Sequence, residues 1–153
     1  PIKNQYNKNI GWVARKAPGG NPPKYLYSSG TKISHVLFGL RQYKFPIPFL
    51  CMVEGPLDAM WLDQHKFPAV ALGGAHLSAI QEKILLSLPL TEVVLCFDND
   101  KAGRIVDEDA KKRLNKYFVL SRIEFDAVRY KDVQDIRDPK ILQEVIANRQ
   151  LAW

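Results

Sequence analysis

Cysteine, histidine and long apolar runs are all scarce in this chain of 153 residues. The two cysteines, Cys51 and Cys96, are not part of a CxxC pair, which excludes a zinc ribbon or zinc finger within this sequence. Each lies inside a short apolar run, so we expect both to be buried free thiols. No apolar stretch reaches the roughly 20 residues that a membrane-spanning helix needs, and no basic segment followed by an apolar core opens these residues. We therefore expect a cytoplasmic protein.

The composition is typical of one soluble globular domain, with 46% hydrophobic and 25% charged residues. Lysine and arginine number 22 against 16 aspartates and glutamates, and the net charge of +6 is compatible with a nucleic acid partner, an anionic substrate or simple solubility. The chain begins with Pro1 rather than methionine, so we expect either a processed start or a piece of a longer polypeptide.

The character of the sequence changes near residue 48. Six of the ten prolines, Pro18 and Pro22 among them, lie in residues 1–48 and predict loops around short strands. From Phe49 onward, apolar runs of strand length alternate with amphipathic segments of helix length. This alternation predicts an α/β fold, in which a mainly parallel sheet is flanked by helices and preceded by a small N-terminal segment of strands and loops.

The predicted elements follow from these patterns. Strands are predicted at Gly11–Arg15, Lys24–Tyr27, Phe49–Val53, Ala69–Leu72, Glu92–Phe97 and Arg122–Val128. Helices are predicted at Pro56–His65, Ser78–Leu86, Lys101–Tyr117 and Pro139–Asn148.

Acidic residues follow two of the predicted strands. Glu54 comes directly after the strand that begins at Phe49, and Asp98 and Asp100 follow the strand that begins at Glu92. Ligands of a parallel α/β sheet bind at the carboxyl ends of its strands, so these acids converge if the two strands are neighbours. Clustered carboxylates favour a shared proton or a bound cation, and their hard oxygen atoms suit Mg²⁺ or Mn²⁺ better than zinc. The corresponding chemistry is phosphoryl transfer.

Each of these residues also has a simpler interpretation. Asp98 or Asp100 occupies the position of a helix N-cap, and Glu54 that of a solvated acid at the end of a strand.

Gly73 and Gly74 permit the backbone to approach a ligand closely. His76, which follows them, is a lone loop histidine, typical of a structural or solvated residue.

The motifs around the acids resemble those of TOPRIM domains, a family found in topoisomerases, in bacterial and phage-type primases and in some nucleases. The matching segments are VEGPLDA at residues 53–59 and FDNDKAGR at residues 97–104. The resemblance is strongest to primases: PKYL at 23–26 and LFGL at 37–40 are similar to the segment that leads into their TOPRIM fold. KDVQD at 131–135 resembles the Lys-Asp motif of phage-type primases.

The resemblance implies roles for residues and regions. Residues 49–153 would be a TOPRIM, Rossmann-like catalytic domain, and residues 1–48 the end of the preceding polymerase subdomain together with a lead-in segment. Divalent metal, Mg²⁺ or Mn²⁺, would be held by Asp98, Asp100 and Asp132, with Asp135 as a candidate for a further ligand. Glu54 would be either a metal ligand or the acid–base group.

The resemblance also implies contacts with phosphate. Arg15 and Lys24 would face a nucleoside triphosphate or the template, because a guanidinium fork and a mobile ammonium group both suit phosphate. Arg104 would contact phosphate or pair with a site carboxylate, unless it is simply a solvated helix residue.

The implied function is that of a DNA primase, which synthesises RNA primers from ribonucleoside triphosphates on single-stranded DNA during replication. The zinc-binding and helicase-contacting regions of full primases are absent from these residues. We therefore expect a catalytic portion that has little activity alone and contacts the replicative helicase through other regions. Two alternatives are a TOPRIM-type metal-dependent nuclease and a non-catalytic nucleic-acid-binding module. Arg15 and Lys24 favour the primase over the nuclease, and the intact acidic set argues against the binding module.

Overall fold

The computed structural model describes residues 1–17, 19, 23–40, 43–126 and 128–152. Pro18 and Pro22, which the sequence places in loops, lie outside these residues, as does Ala127 of the predicted strand Arg122–Val128. No helix in the described ranges is both long enough and apolar enough to cross a membrane.

In the described part of the N-terminal segment, short strands form two antiparallel pairs. The strands are β1 (Ile2–Lys3), β2 (Asn9–Gly11), β3 (Val13–Arg15) and β4 (Tyr25–Tyr27). β1 pairs with β2, and β3 pairs with β4 in a register that puts Arg15 opposite Tyr25. The prediction of one strand at Gly11–Arg15 is wrong, because the chain divides at Trp12, whose N–H donates to the Ser28 hydroxyl group (3.0 Å).

The remainder of the chain is built on a sheet that has five strands among the described residues. They are β5 (Leu50–Val53), β6 (Ala69–Ala71), β7 (Glu92–Leu95), β8 (Val119–Arg122) and β9 (Gln150–Leu151). Their order is β6-β5-β7-β8-β9, and all neighbours are parallel except β8 and β9. All of β5 and most of β7 are buried, which explains their continuous apolar sequences. The predicted mainly parallel α/β fold is confirmed.

Helices cover both faces of this sheet. Within the described ranges they are α1 (Pro56–Gln64), α2 (Ala79–Leu86), α3 (Lys101–Leu114) and α4 (Pro139–Ala147). A proline begins α1 and α4, where its missing N–H costs no helical hydrogen bond. Ser78 and Gln81 form a capping box that begins α2. Helices α2 and α3 pack on one face and α1 and α4 on the other.

The core consists of two apolar clusters, one on each face of the sheet. Successive residues of β5 point into them alternately: Leu50 and Met52 into the first, Cys51 and Val53 into the second. Cys96 also lies in the second cluster, and both cysteines are buried free thiols, which confirms that prediction.

The prediction of a strand at Arg122–Val128 is wrong. The strand there is β8, which ends at Arg122, and α3 ends at Leu114 rather than at Tyr117. Polar Ser121 obscures β8 in the sequence, although it is buried and donates its hydroxyl hydrogen to Glu92 Oε1 (2.7 Å). The other predicted strands and helices agree with the structure to within two residues at each end.

Candidate active site

Glu54 and Asp98 lie side by side at the carboxyl edge of the sheet. Glu54 directly follows β5, and Asp98 follows the parallel strand β7 in a register that pairs Met52 with Leu95. The Asp98 N–H donates to Glu54 Oε1 over 3.3 Å. The two strands are direct neighbours, which meets the condition on which the predicted convergence of their acids depended.

Asp100 is both a helix cap and a member of the acidic group. Its Oδ1 accepts from the N–H groups of Ala102 (2.9 Å) and Gly103 (3.0 Å) at the start of α3. Its Oδ2 lies 3.4 Å from Lys131 Nζ. The hydrogen bond from Gly103, together with the contact to Lys131, holds the pKa of Asp100 below its usual value. The interpretation of Asp100 as an N-cap is therefore correct and leaves it within the site.

Gly103 lets the first turn of α3 lie against the backbone of Asp98. A Cβ at this position would lie 1.9 Å from the Asp98 carbonyl oxygen, a distance at which the backbone has to move. The glycine of the FDNDKAGR segment therefore has a structural reason: it permits the tight return of the chain from β7 into α3.

Gly103→Ala is expected to lower the free energy of unfolding by about 2 kcal/mol, because the new methyl group displaces the Asp98 backbone. Urea unfolding followed by circular dichroism measures the change. Gly74→Ala is the matched control, since a Cβ there meets no atom within 4 Å. We expect that control to change stability by less than about 0.5 kcal/mol. Equal stability of Gly103→Ala and the wild type would contradict the close approach.

Asp132 lies in a second loop that is tied to the loop after β7. The Asn99 N–H donates to the Lys131 carbonyl oxygen over 2.7 Å. Asp132 Oδ1 accepts two backbone N–H groups (2.9 and 3.1 Å) at the start of the 3₁₀ turn Val133–Asp135. Asp135 Oδ2 accepts the Lys131 N–H over 2.8 Å, so Asp135 orders this loop from within.

The two loops border an open cleft of about 310 Å³. The cleft is lined by the acids Glu54, Asp58, Asp98 and Asp100, the lysines Lys24 and Lys131, and the residues Tyr25, Tyr27, Gly55, Pro56, Gly73 and Gly74. Asp132 is not among the described lining residues, but its charge acts on both Asp58 and Asp98. Carboxylates and two lysines that line one cleft suit an anionic ligand held together with a cation.

Burial raises the pKa of Glu54 and of Asp98 above their usual values. A neighbouring carboxylate adds to each shift: Asp98 acts on Glu54, and Asp132 acts on Asp98. Lys131 opposes both shifts, and Lys24 opposes that of Asp98. The acids therefore repel one another in a half-buried environment, and a bound cation would relieve this repulsion.

Asp58 is a carboxylate of this cleft that sequence reasoning missed. It lies in the first turn of α1, four residues after Glu54, and is only 5% exposed. Burial, followed by the charges of Asp132 and Asp98, raises the pKa of Asp58 to about 7. The available signal was an acid in the first turn of a short, largely apolar helix, directly after the glutamate motif.

The β3–β4 hairpin brings basic residues to the cleft. Lys24 lines it, with Nζ 5.8 Å from the centre of the Tyr25 ring. Arg15 is not among the described lining residues: its Nη1 donates to Tyr25 Oη (3.4 Å), and it borders a neighbouring cleft of about 430 Å³. Both cations favour the ionised form of Asp58. Their contact with nucleotide or template stays a prediction.

Arg104 lies on the far side of Asp98, in the first turn of α3. It lines a further cleft of about 330 Å³ that shares Asp98 with the first one. The ion pair between Asp107 and Arg122 (2.8 Å) borders the same cleft. A contact between Arg104 and phosphate stays a prediction.

The loop after β6 completes the rim of the first cleft. Gly73 has a positive φ of 70°, and the Tyr27 hydroxyl group donates to its carbonyl oxygen (3.3 Å). Gly74 lines the cleft beside it, whereas His76 is exposed, as expected of a solvated loop residue.

The acids suit a hard divalent cation in their chemistry but are not gathered into a complete metal site. The described residues contain no group of three or more His, Cys, Asp or Glu side chains arranged to hold a metal ion. At Asp100, Oδ1 is engaged by backbone N–H groups and Oδ2 faces Lys131. Half-buried carboxylates that repel one another nevertheless fit Mg²⁺ or Mn²⁺, which prefer oxygen ligands.

The chain is similar to proteins of one family. The sequence model of a family described as Toprim-like matches residues 51–137. The DNA primase of Thermotoga maritima is 38% identical over 111 residues, 67% of this chain and 19% of that protein. The DNA primase of Salmonella typhimurium is 32% identical over 149 residues, 93% of this chain and 25% of that protein. The chain thus spans about a quarter or less of the length of these relatives.

A solved structure shows the same fold. A DnaG primase catalytic domain bound to single-stranded DNA superposes on this chain with a TM-score of 0.78 at 25% identity. The superposition covers 99% of this chain and 51% of the other. The N-terminal hairpins and the sheet are therefore both part of the shared structure.

Proposed function

The chain belongs to the Toprim-like family, and on that premise we propose that it is the catalytic TOPRIM portion of a DNA primase. In the reaction, the 3′ hydroxyl group of one ribonucleotide attacks the α-phosphate of the next ribonucleoside triphosphate on the template, and pyrophosphate leaves. Residues 49–153 are the catalytic domain, and residues 1–48 are the end of the preceding polymerase subdomain with its lead-in segment. The observation that carries the proposal is the pairing of Glu54 with Asp98 in a cleft that Lys24 also lines.

The known relatives support a nucleic acid template. Proteins named DNA primase match up to 95% of this chain, and the catalytic domain on which it superposes is bound to single-stranded DNA. We propose single-stranded DNA as the template and ribonucleoside triphosphates as the substrates here. A replicative helicase would contact regions that the longer relatives carry in addition. The activity is proposed for this chain acting together with such regions.

The acids at the carboxyl edge of the sheet have two proposed roles, metal binding and proton transfer. Asp98, Asp100 and Asp132 would hold Mg²⁺ or Mn²⁺, with Glu54 as a further ligand or as the acid–base group. When bound, such an ion supplies positive charge that stabilises the transferring phosphate and the attacking oxygen. Glu54 Oε1 accepts the Asp98 N–H, which leaves Oε2 to accept a proton from the 3′ hydroxyl group of the primer. Burial raises the pKa of Glu54, which suits a proton acceptor.

The basic residues in and beside the cleft would bind and orient the phosphate groups of the substrate. Lys24 faces the acids across the cleft, where its ammonium group would neutralise part of the triphosphate charge. Arg15 donates a hydrogen bond to the hydroxyl group of Tyr25, which lines the same cleft as Lys24. Arg104, in the adjoining cleft, would hold phosphate on the other side of Asp98.

The test separates synthesis from cleavage. In a chimera, this chain replaces the matching 25% of the Salmonella typhimurium primase. The chimera is incubated with labelled single-stranded DNA and Mn²⁺, with and without ribonucleoside triphosphates. We expect an RNA product and intact DNA. Cutting of the DNA without nucleotides would instead favour a TOPRIM nuclease. Salt-sensitive DNA binding with neither product nor metal binding would favour a non-catalytic module.

A further inference from the structure

Lys131 places a positive charge within the acidic side of the cleft. Its Nζ lies 3.4 Å from Asp100 Oδ2, and its charge opposes the rise that burial causes in the pKa of Glu54 and of Asp98. Partial burial lowers the pKa of Lys131, but the hydrogen bond with Asp100 and the charges of Asp98 and Asp132 raise it above its usual value. One ammonium group thus interacts electrostatically with acids from three loops.

The backbone of Lys131 is held by two hydrogen bonds, whereas its side chain is largely exposed. The Lys131 carbonyl oxygen accepts the Asn99 N–H (2.7 Å), and the Lys131 N–H donates to Asp135 Oδ2 (2.8 Å). The side chain itself is 60% exposed. A flexible four-carbon stem can therefore carry the charge out of the cluster without any change in the loop.

An incoming divalent cation needs an oxygen atom that Lys131 contacts. Asp100 Oδ1 is engaged by the N–H groups of Ala102 and Gly103, which leaves Oδ2 as the atom of this carboxylate that is available to a metal ion. Oδ2 is also the atom that faces Lys131 Nζ. A divalent ion and an ammonium group only a few Å apart repel each other strongly. The two cations therefore compete for the same position.

We propose that Lys131 is the internal counter-cation of this carboxylate cluster, and that a divalent cation binds by displacing its ammonium group from Asp100. The inference rests on the proposed function, because it takes the cluster to be the metal site. Lys131 is a positioning residue here: it holds ionised carboxylates near one another and sets the metal concentration that the site requires. Once displaced, its ammonium group faces the cleft beside Lys24 and is available to phosphate.

Lys131→Met tests the competition, since it keeps the length of the side chain and removes the charge. Electron paramagnetic resonance detects free Mn²⁺ and so measures the dissociation constant of Mn²⁺ from the 153-residue chain. We expect the variant to bind Mn²⁺ about three- to tenfold more tightly than the wild type at low ionic strength, because one nearby repulsive charge is gone. The difference should shrink at high salt, since the ammonium group is exposed.

Lys101→Met is the matched control. Lys101 is exposed, begins α3 and follows Asp100 directly in the sequence, so the control removes an equal charge from the same loop. We expect it to change Mn²⁺ affinity by less than about twofold. Lys131→Arg, which keeps the charge, should bind Mn²⁺ as the wild type does. Tighter Mn²⁺ binding by the arginine variant than by the wild type would overturn the inference, because side-chain shape rather than charge would then determine the affinity.

Thermal unfolding supplies a readout that does not depend on activity. In EDTA, Lys131→Met should unfold about 1 to 3 °C below the wild type, because the carboxylates have lost their counter-charge. Added Mn²⁺ should stabilise the variant more than the wild type. Unchanged or weaker Mn²⁺ binding by Lys131→Met, with wild-type binding intact, would overturn the inference and leave the metal dependence standing. Absence of Mn²⁺ binding by the wild type and by the variant would overturn both the inference and the proposed metal dependence.

Discussion

Replacing Asp98 and Asp100 together by asparagine is expected to reduce primer synthesis by the chimera about 10³-fold or more. The two carboxylates come from one loop at the sheet edge and would hold the cation that phosphoryl transfer requires. Asparagine preserves the size of both side chains and, at position 100, an oxygen atom that can still cap α3. Charge is therefore lost while the start of the helix is retained. Incorporation of labelled ribonucleotides on single-stranded DNA in Mg²⁺ measures the effect.

The matched control is Asp109→Asn combined with Asp138→Asn. Asp138 caps α4 by accepting the Lys140 N–H (2.8 Å), and Asp109 lies further along α3. This variant loses the same number of charges, one of them from a helix cap, but none from the cleft. We expect it to remain active. Activity of the Asp98/Asp100 variant within about threefold of the wild type would contradict the assignment of these acids.

Asp58→Asn is expected to stabilise the fold by about 2 to 4 kcal/mol above about pH 7 in EDTA. The pKa of Asp58 is about 7 in the folded protein and starts from an ordinary value of 3.8. As pH rises between these values, the unfolded chain loses this proton while the folded chain keeps it. The folded state therefore loses stability across that window, and an amide at this position avoids the loss.

Urea unfolding at a series of pH values in EDTA measures this prediction. The stability difference between Asp58→Asn and the wild type should grow by up to about 1.4 kcal/mol per pH unit inside the window and stay level outside it. Glu54 and Asp98 also have raised pKa values, but their contributions are present in both proteins and largely cancel. A level difference for Asp58→Asn would contradict a protonated, buried Asp58.

We expect the same variant to lose primer synthesis while it gains stability. A carboxylate that destabilises the fold and yet lines the cleft is typical of a residue kept for function. Wild-type activity in Asp58→Asn would show that this carboxylate has no part in the reaction.

The pairing of Glu54 with Asp98 could be predicted because it depends on local features. Two apolar strands are each followed by an acid, and intervening helices make such strands parallel, so their carboxyl ends share one edge. That β5 and β7 are direct neighbours was only a condition of the prediction, because strand order depends on how helices pack across the whole sheet. The structure supplied that condition.

The roles of Asp58, Arg15 and Lys131 depend on contacts that the sequence does not record. Asp58 lies beside Tyr25 of the β3–β4 hairpin: a Cβ on Gly55 would meet both Asp58 Oδ2 (2.6 Å) and Tyr25 Oη (3.1 Å). Arg15 faces Tyr25 because of the hairpin register. Lys131 meets Asp100 across two loops that are far apart in the chain. Long-range packing, rather than local pattern, determines all three.

The identity of the first dinucleotide made by the chimera tests the catalytic assignment most directly. The chimera is given labelled ribonucleoside triphosphates, Mg²⁺ or Mn²⁺, and two single-stranded DNA templates that differ only in the bases to be copied. We predict a dinucleotide complementary to each template, whose sequence changes with the template and which disappears in EDTA. A product that ignores the template, or cleavage of the template in place of synthesis, would contradict the assignment of the Glu54, Asp98 and Asp100 cleft to primer synthesis.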